Sequence, residues 1–463
     1  MNASTRQPAG MRAFVVVSKA QMVSLLGSGL TAFGVTIWAF EQTGRATDLA
    51  LIGFFFITPL LVVSPIAGVF VDRYNRKFMM MISDLMAGLT TIAVLILLST
   101  GQLQIWHLFI TNAVNGAFQA FQWPAFSAAI TLMLDKSNYT RANSMMHLAD
   151  SASGVVAPLL AGALIGPIGL GGLLTIDIVT FVVAVGTLFF VHIPETDPAD
   201  RDKVSQESFF KDVTFGFRYI LDKRPLLGIQ LVFMIGNFFF MLAFAVQAAM
   251  ILASTGNNEF AYGLVQTIGA VGGVLGGIVI SAWGGFKRNI HGVLLGWAFA
   301  GLTLILIAFG RPDPLWHGIL FWGGGLFAGG IIETLINGSN QSIWQSKVAP
   351  ELQGRVFSIR MLIAWLVQPL ARLLAGPLAD NVFEPALKPG GMWFYTVGSL
   401  TRQGPGAGMA LMFLISGVLI TLTGLGGYLV PMIRNVEDLL PDHEATGEAS
   451  ATAADGDPVP EAA

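Results

Sequence analysis

Twelve stretches of this chain are long and apolar enough to cross a lipid bilayer, and this restricts the fold more than any other feature. A spanning helix needs about 20 mostly apolar residues. In the first half the runs are Phe14–Phe40, Leu49–Val71, Phe78–Thr100, Ile105–Leu134, Ala142–Ile165 and Leu170–Val191. In the second half they are Leu226–Leu252, Ala261–Trp283, Ile290–Phe309, Leu315–Ile343, Val356–Leu378 and Ala407–Met432. The fourth and tenth exceed the need, so tilt, kinking or extension past the bilayer is expected of them. Pro124, late in the fourth, is a place for a kink or an end. Composition agrees: 54% of the residues are hydrophobic and 11% charged, against about 25% charged in a soluble domain. One soluble core could not bury so much apolar surface, so the solvent must be largely lipid.

The expected fold class is an all-α membrane protein, with twelve transmembrane helices in two six-helix bundles. The longest interior polar stretch, His192 to Pro225, divides six runs from six. Residues 1–191 form the first bundle in this reading, 192–225 a linker, 226–437 the second bundle and 438–463 a disordered tail rich in Ala, Glu, Asp and Pro. Within the linker, Phe209, Val213, Phe217 and Ile220 recur at helical spacing, with Lys211, Asp212 and Arg218 between them. That pattern predicts an amphipathic helix on the inner membrane surface. The outer loop 379–406 carries Pro, Gly and aromatic residues that suggest an ordered cover. The run beginning at Ala13 is too long for a signal-peptide core and reads as a retained first helix.

Orientation follows from the cations. Twenty Lys and Arg fall in segments on the side of the termini, four in the opposite loops, and Arg372 inside a helix completes the 25. Both termini are therefore expected in the cytoplasm, with the chain multi-pass in a bacterial inner membrane. A net charge of −3 gives no basic footprint for nucleic acid. The chain has no cysteine, which excludes disulfides and thiolate metal sites. Neither a phosphate-binding glycine loop nor a metal-spaced histidine cluster occurs. The chain is accordingly expected not to be an enzyme, to hold no metal or cofactor, and to run on an ion gradient rather than ATP. The expected partners are a small amphipathic molecule and membrane lipids, met as a monomer.

The sharpest motif is Gly68-Val-Phe-Val-Asp72-Arg73-Tyr-Asn-Arg76-Lys77, where the second run meets the inner face. The positive-inside bias accounts for Arg73, Arg76 and Lys77, but not for Asp72 or for the glycine spacing. The motif matches the Gly-x-x-x-Asp-Arg-x-x-Arg-Lys signature of the major facilitator superfamily. Trp123-Pro124-Ala125, Arg141-Ala142-Asn143, Gly354-Arg355-Val356-Phe357-Ser358, Phe383-Glu384-Pro385-Ala386 and Gly404-Pro405-Gly406 resemble its macrolide-efflux and enterobactin-exporter branch. The resemblance runs from about Phe14 to Met432. It implies proton-antiport export of a drug-like, macrolide-like or siderophore-like molecule by alternating access. It also implies a cytoplasmic gate of Gly68, Asp72, Arg73, Arg76 and Lys77, with Asp135 as a partner. Two departures bear on coupling. The fifth-helix antiporter motif survives only as Ser153-Gly-Val-Val-Ala157-Pro158-Leu-Leu-Ala161-Gly162, and Asn112 or Asn115 stands where many drug antiporters carry an arginine in the fourth helix.

Ionisable groups inside spans are costly and mark function by default. Glu333, followed by Asn337 and Asn340 at helical spacing, is a proton-coupling candidate, or else a structural ion pair with Arg372. Asp150 follows His147 by one turn and forms either a proton relay or a packing hydrogen bond. Asp84 and Asp177 lie nearer the boundaries and read as packing or interfacial groups. Asn115, Gln119, Asn237, Phe240, Gln247, Gln266 and Asn337 are candidates for a mostly apolar cargo pocket. Rival readings are a nutrient symporter, a lipid or lysolipid translocase, and a membrane sensor that transports nothing.

Overall fold

The computed structural model describes residues 10–135, 138–191, 209–400 and 402–442. The side chains of Gly68, Asp72, Arg73, Asn143, Lys211, Asp212 and Val213 also lie outside the described set, as do the linker before Phe209 and the tail after Asp442. The long helices are α1 (Gly10–Thr43), α2 (Ala46–Arg73), α3 (Arg76–Ser99), α4 (Ile105–Met133) and α5 (Tyr139–Phe190). After the linker come α6 (Phe209–Asp222), α7 (Arg224–Phe244), α8 (Gln247–Thr255), α9 (Glu259–Trp283) and α10 (Asn289–Ala308). Then follow α11 (Leu315–Lys347), α12 (Pro350–Leu378) and α13 (Ala407–Leu429). Ten helical stretches among the described residues meet the length and hydropathy of a membrane span.

One of those ten, within α5, is long enough for two passes. Its backbone leaves the helical region at Gly169, where φ is 65°, a conformation that glycine adopts without a Cβ clash. The chain reverses there. Met146, before the turn, and Leu188, after it, both pack into the cluster around Phe14, Met80 and Met133 near the N-terminal end of the bundle. With this double pass, and with α4 running unbroken through Pro124 to Met133, the described helices are consistent with twelve passes.

Two bundles result. α1 packs along both arms of α5, and α2 and α3 pack on α4. In the second bundle α9 and α10 pack on α11, and α7 and α10 pack on α13. Lipid takes the place of water outside, so large apolar side chains face outward freely: Phe190 is 86% exposed and Leu429 84%. α6 lies on α12, close enough that a Cβ on Gly216 would meet Ile359. The sequence reading starts its disordered tail at Asp438. The described chain instead holds ordered contacts through Asp442: Asp438 pairs with Arg288 at 2.6 Å and Asp442 with Lys347 at 2.8 Å. Beside them Glu437 caps α10, accepting from the backbone of Asn289 and Ile290.

Candidate functional site

The bundles meet chiefly along α5 with α9 and α2 with α12. The contacts lie on the half of the spans remote from the termini. Phe33 stacks on Tyr262 with ring centroids 4.8 Å apart. A Cβ on Gly263 would stand 2.4 Å from the Pro158 carbonyl oxygen, and one on Gly376 would stand 2.3 Å from the Thr47 Cα. Only glycine lets these backbones approach so closely. Asp380, just past α12, caps α2 across the interface: it accepts from the amides of Ala46 and Thr47 at 3.0 and 2.8 Å and from the Thr47 hydroxyl at 2.6 Å. This crossing contact was not read from the sequence. Its only signal is an acid directly after the apolar end of the eleventh run.

The same end is covered by the loop that follows α12. Arg402, 6% exposed, donates to the Gly310 carbonyl at 3.2 Å and stands 6.0 Å over the Trp322 ring. Burial pushes its guanidinium down to about 10, and the charge of Glu384 opposes that shift. At the end near the termini, side chains that line the cavities of the two bundles are exposed, including Trp123, Met361 and Trp365. The arrangement is closed at one end and open at the other.

Two adjoining cavities of about 350 and 360 Å³ lie in the second bundle and share Phe240, Met241, Gly329 and Glu333. Their walls carry Phe233, Trp297 and Trp365, with polar groups that include Gln230, Asn237, Asn337, Asn340, Gln266, Gln368 and Arg360. Of the pocket candidates, Asn237, Phe240, Gln266 and Asn337 are therefore brought together around Glu333. Asn237 also donates to the Ala364 carbonyl at 3.3 Å, and Arg360 donates to Gln341 at 2.6 Å. Gln119 lines a separate cavity in the first bundle. Asn115 accepts from the Thr90 hydroxyl at 2.8 Å and joins α4 to α3. Gln247 is buried at the start of α8 and lines none of these cavities.

The pairing of Glu333 with Arg372 is not formed among the described residues. Arg372 turns toward α2 instead, where its guanidinium fills the space over Gly53. Asp150 borders the first-bundle cavity, and the His147 ring sits against Trp123 at 5.9 Å. Lys77 donates to the Phe189 and Val191 carbonyls at 3.0 and 2.8 Å, capping the end of α5 within its own bundle. Asp135 is exposed in the connection after α4. Asp84 and Asp177, read from sequence as packing or interfacial groups near the boundary, are buried inside the first bundle. Asp84 accepts from Gln21 and Gln122, and Asp177 accepts from Ser28, Thr31 and Thr91. The missed signal was spacing: Ser28 and Thr31 share one face of α1, while Asp84 and Thr91 share one face of α3.

Residues 18–371 match the family model described as Major Facilitator Superfamily. The chain is 24% identical over 369 residues to macrolide efflux protein A of Streptococcus pyogenes, covering 80% of this chain and 90% of that protein. It is 24% identical over 360 residues to the multidrug efflux pump Tap of Mycolicibacterium fortuitum, covering 76% and 86% of the two chains. The fold resembles the crystal structure of a bacterial homologue of the human lysosomal transporter Spinster in an inward-facing, unoccupied conformation. That match has a TM-score of 0.65 at 16% identity and covers 89% of this chain and 96% of the other.

Proposed function

The chain belongs to the major facilitator superfamily, and on that premise we propose that it exports a hydrophobic or amphipathic small molecule by proton antiport. The observation that carries this reading is the pair of cavities around Glu333. Aromatic walls with a few convergent amides suit an amphipathic cargo. A carboxyl group there, free of the Arg372 pairing, is available to take and release a proton. The efflux relatives support export rather than uptake.

The cation asymmetry supports cytoplasmic termini. The open end then faces the cytoplasm, and cargo enters from there or from the inner leaflet. Proton binding and release at Glu333 biases the exchange between this arrangement and one open outward. Accumulation of macrolides, dyes and siderophores in efflux-deficient cells tests the reading. Lower accumulation that a protonophore restores supports it. Unchanged accumulation across the panel, with the protein confirmed in the membrane, would reject it.

The motif at the α2–α3 connection serves as the gate in this cycle, with Asp72 closing the cytoplasmic end in the outward-open state. Asp72→Asn is expected to lower turnover about tenfold, the equivalent of about 1.4 kcal/mol, with membrane levels near wild type. Export at wild-type rate in that variant would remove Asp72 from the gate.

A further inference from the structure

The cavity of the first bundle has a volume of about 160 Å³ and no role in the cycle above. Both of its buried carboxylates are surrounded by groups that favour the ionised form. Asp177, 4% exposed, takes hydroxyl hydrogen bonds at 3.3, 2.9 and 3.0 Å from Ser28, Thr31 and Thr91. Asp84, 9% exposed, takes amide hydrogen bonds at 2.8 and 2.9 Å from Gln21 and Gln122, one on each oxygen. The cavity lining contains no Lys, Arg or His, and among the described residues neither carboxylate has an ion-pair partner. Ionised without a counter-charge, two carboxylates buried this close to one another are costly. A ligand that supplied the positive charge would recover that cost.

Two further features describe that ligand. Ser18, 8% exposed and lining the cavity, has a hydroxyl oxygen with no partner, and the Gln122 carbonyl oxygen likewise has none. Both can accept from N–H groups. Met22, Trp123, Phe126 and Phe181 give the rest of the lining a large apolar share, which suits methylene groups better than a hydrated metal ion. The exposed Gln119, Trp123 and Asp150 border the cavity as well.

The charge spacing follows from α3. Asp177 bonds to Thr91, seven residues beyond Asp84 on the same face, so the carboxylates are offset by about 10 Å along the helix. With an ammonium nitrogen about 3 Å from each carboxylate, the two nitrogens fall roughly 5–8 Å apart. We propose that the Asp84–Asp177 cavity binds a short aliphatic diammonium ion, a diamine or polyamine, with one ammonium group on each carboxylate. Gly27 permits this geometry, since a Cβ there would stand 2.9 Å from an Asp177 carboxylate oxygen and 2.1 Å from the Thr180 hydroxyl.

The inference rests on the transporter reading only for access from the open end. Binding is measured without a gradient, so failure of export and failure of this site are separate results. The test uses the purified full-length chain, with its melting temperature followed at constant ionic strength against 1,5-diaminopentane, n-pentylamine and sodium chloride. The diamine is expected to half-saturate at a concentration at least tenfold below that of the monoamine, and sodium is expected to have no effect. Asp84→Asn and Asp177→Asn should each bring the diamine down to the monoamine's response. A series of diamines of increasing length on the unaltered protein should peak at the intermediate spacers, a readout that survives if the variants fail to fold. Equal response to diamine and monoamine, no response to either, no dependence on spacer length, or a response matched by sodium would overturn the proposal.

Discussion

Glu333→Gln is expected to leave the protein in the membrane and to abolish the dependence of export on the proton gradient. Glutamine keeps the shape and hydrogen-bonding reach of the side chain but cannot bind or release a proton. The groups that share the cavity, Asn237, Asn337, Asn340, Gln230 and Gln368, are neutral amides, and Arg360 stays protonated in any working range. None of them can take over the exchange. Export should therefore fall at least about tenfold, and the residual movement of cargo should not respond to a protonophore. Cargo binding should fall less, because the aromatic walls remain. Protonophore-sensitive export at the wild-type rate in Glu333→Gln would take this carboxyl out of the coupling mechanism.

The second large effect is expected at the closed end. Gly263→Leu should reduce transport at least about tenfold while expression stays normal, because the side chain obstructs one state of the cycle rather than the core of either bundle. Even the first carbon would stand 2.4 Å from the Pro158 carbonyl oxygen and 3.4 Å from the Gly162 Cα. Backbone on α5 cannot yield as a flexible side chain can. The substitution should favour the arrangement in which α5 and α9 have parted, so labelling of a site beside Phe33 from the outer face should rise. Normal transport with a leucine at 263 would mean that this contact is not remade in each cycle.

Much of the architecture was legible because lipid imposes one rule on every span: a run of apolar residues long enough to cross must be helical. The twelve runs and the division at the polar linker needed only length and polarity. The family signature at the α2–α3 connection was legible from residue order alone. What spacing along one helix could not supply was pairing between helices. Arg372 and Glu333 sit on neighbouring helices in sequence, yet Arg372 turns to Gly53 of the other bundle. Asp84 and Asp177 lie toward the ends of their runs and read as packing or interfacial groups. They are buried because hydroxyl and amide donors from α1, α3 and α4 converge on them, a convergence that requires the fold. Asp380 was hidden in the same way, since it caps a helix that begins more than three hundred residues earlier. The pocket candidates divide along this line. Asn237, Gln266 and Asn337 meet around Glu333, while Asn115 and Gln247 serve packing.

The central claim is that the closed end must open in every turnover. The absence of native cysteine makes a direct test simple. Thr47→Cys combined with Asp380→Cys places two thiols across the bundle interface, where the side chains of the native pair meet at 2.6 Å. Side chains in such direct contact are within reach of a disulfide. Export is measured after oxidation and again after reduction of the same preparation. The account predicts that the cross-link forms readily, that export stops while it is closed, and that reduction restores export. Export continuing undiminished in fully cross-linked protein would contradict alternating access through this interface.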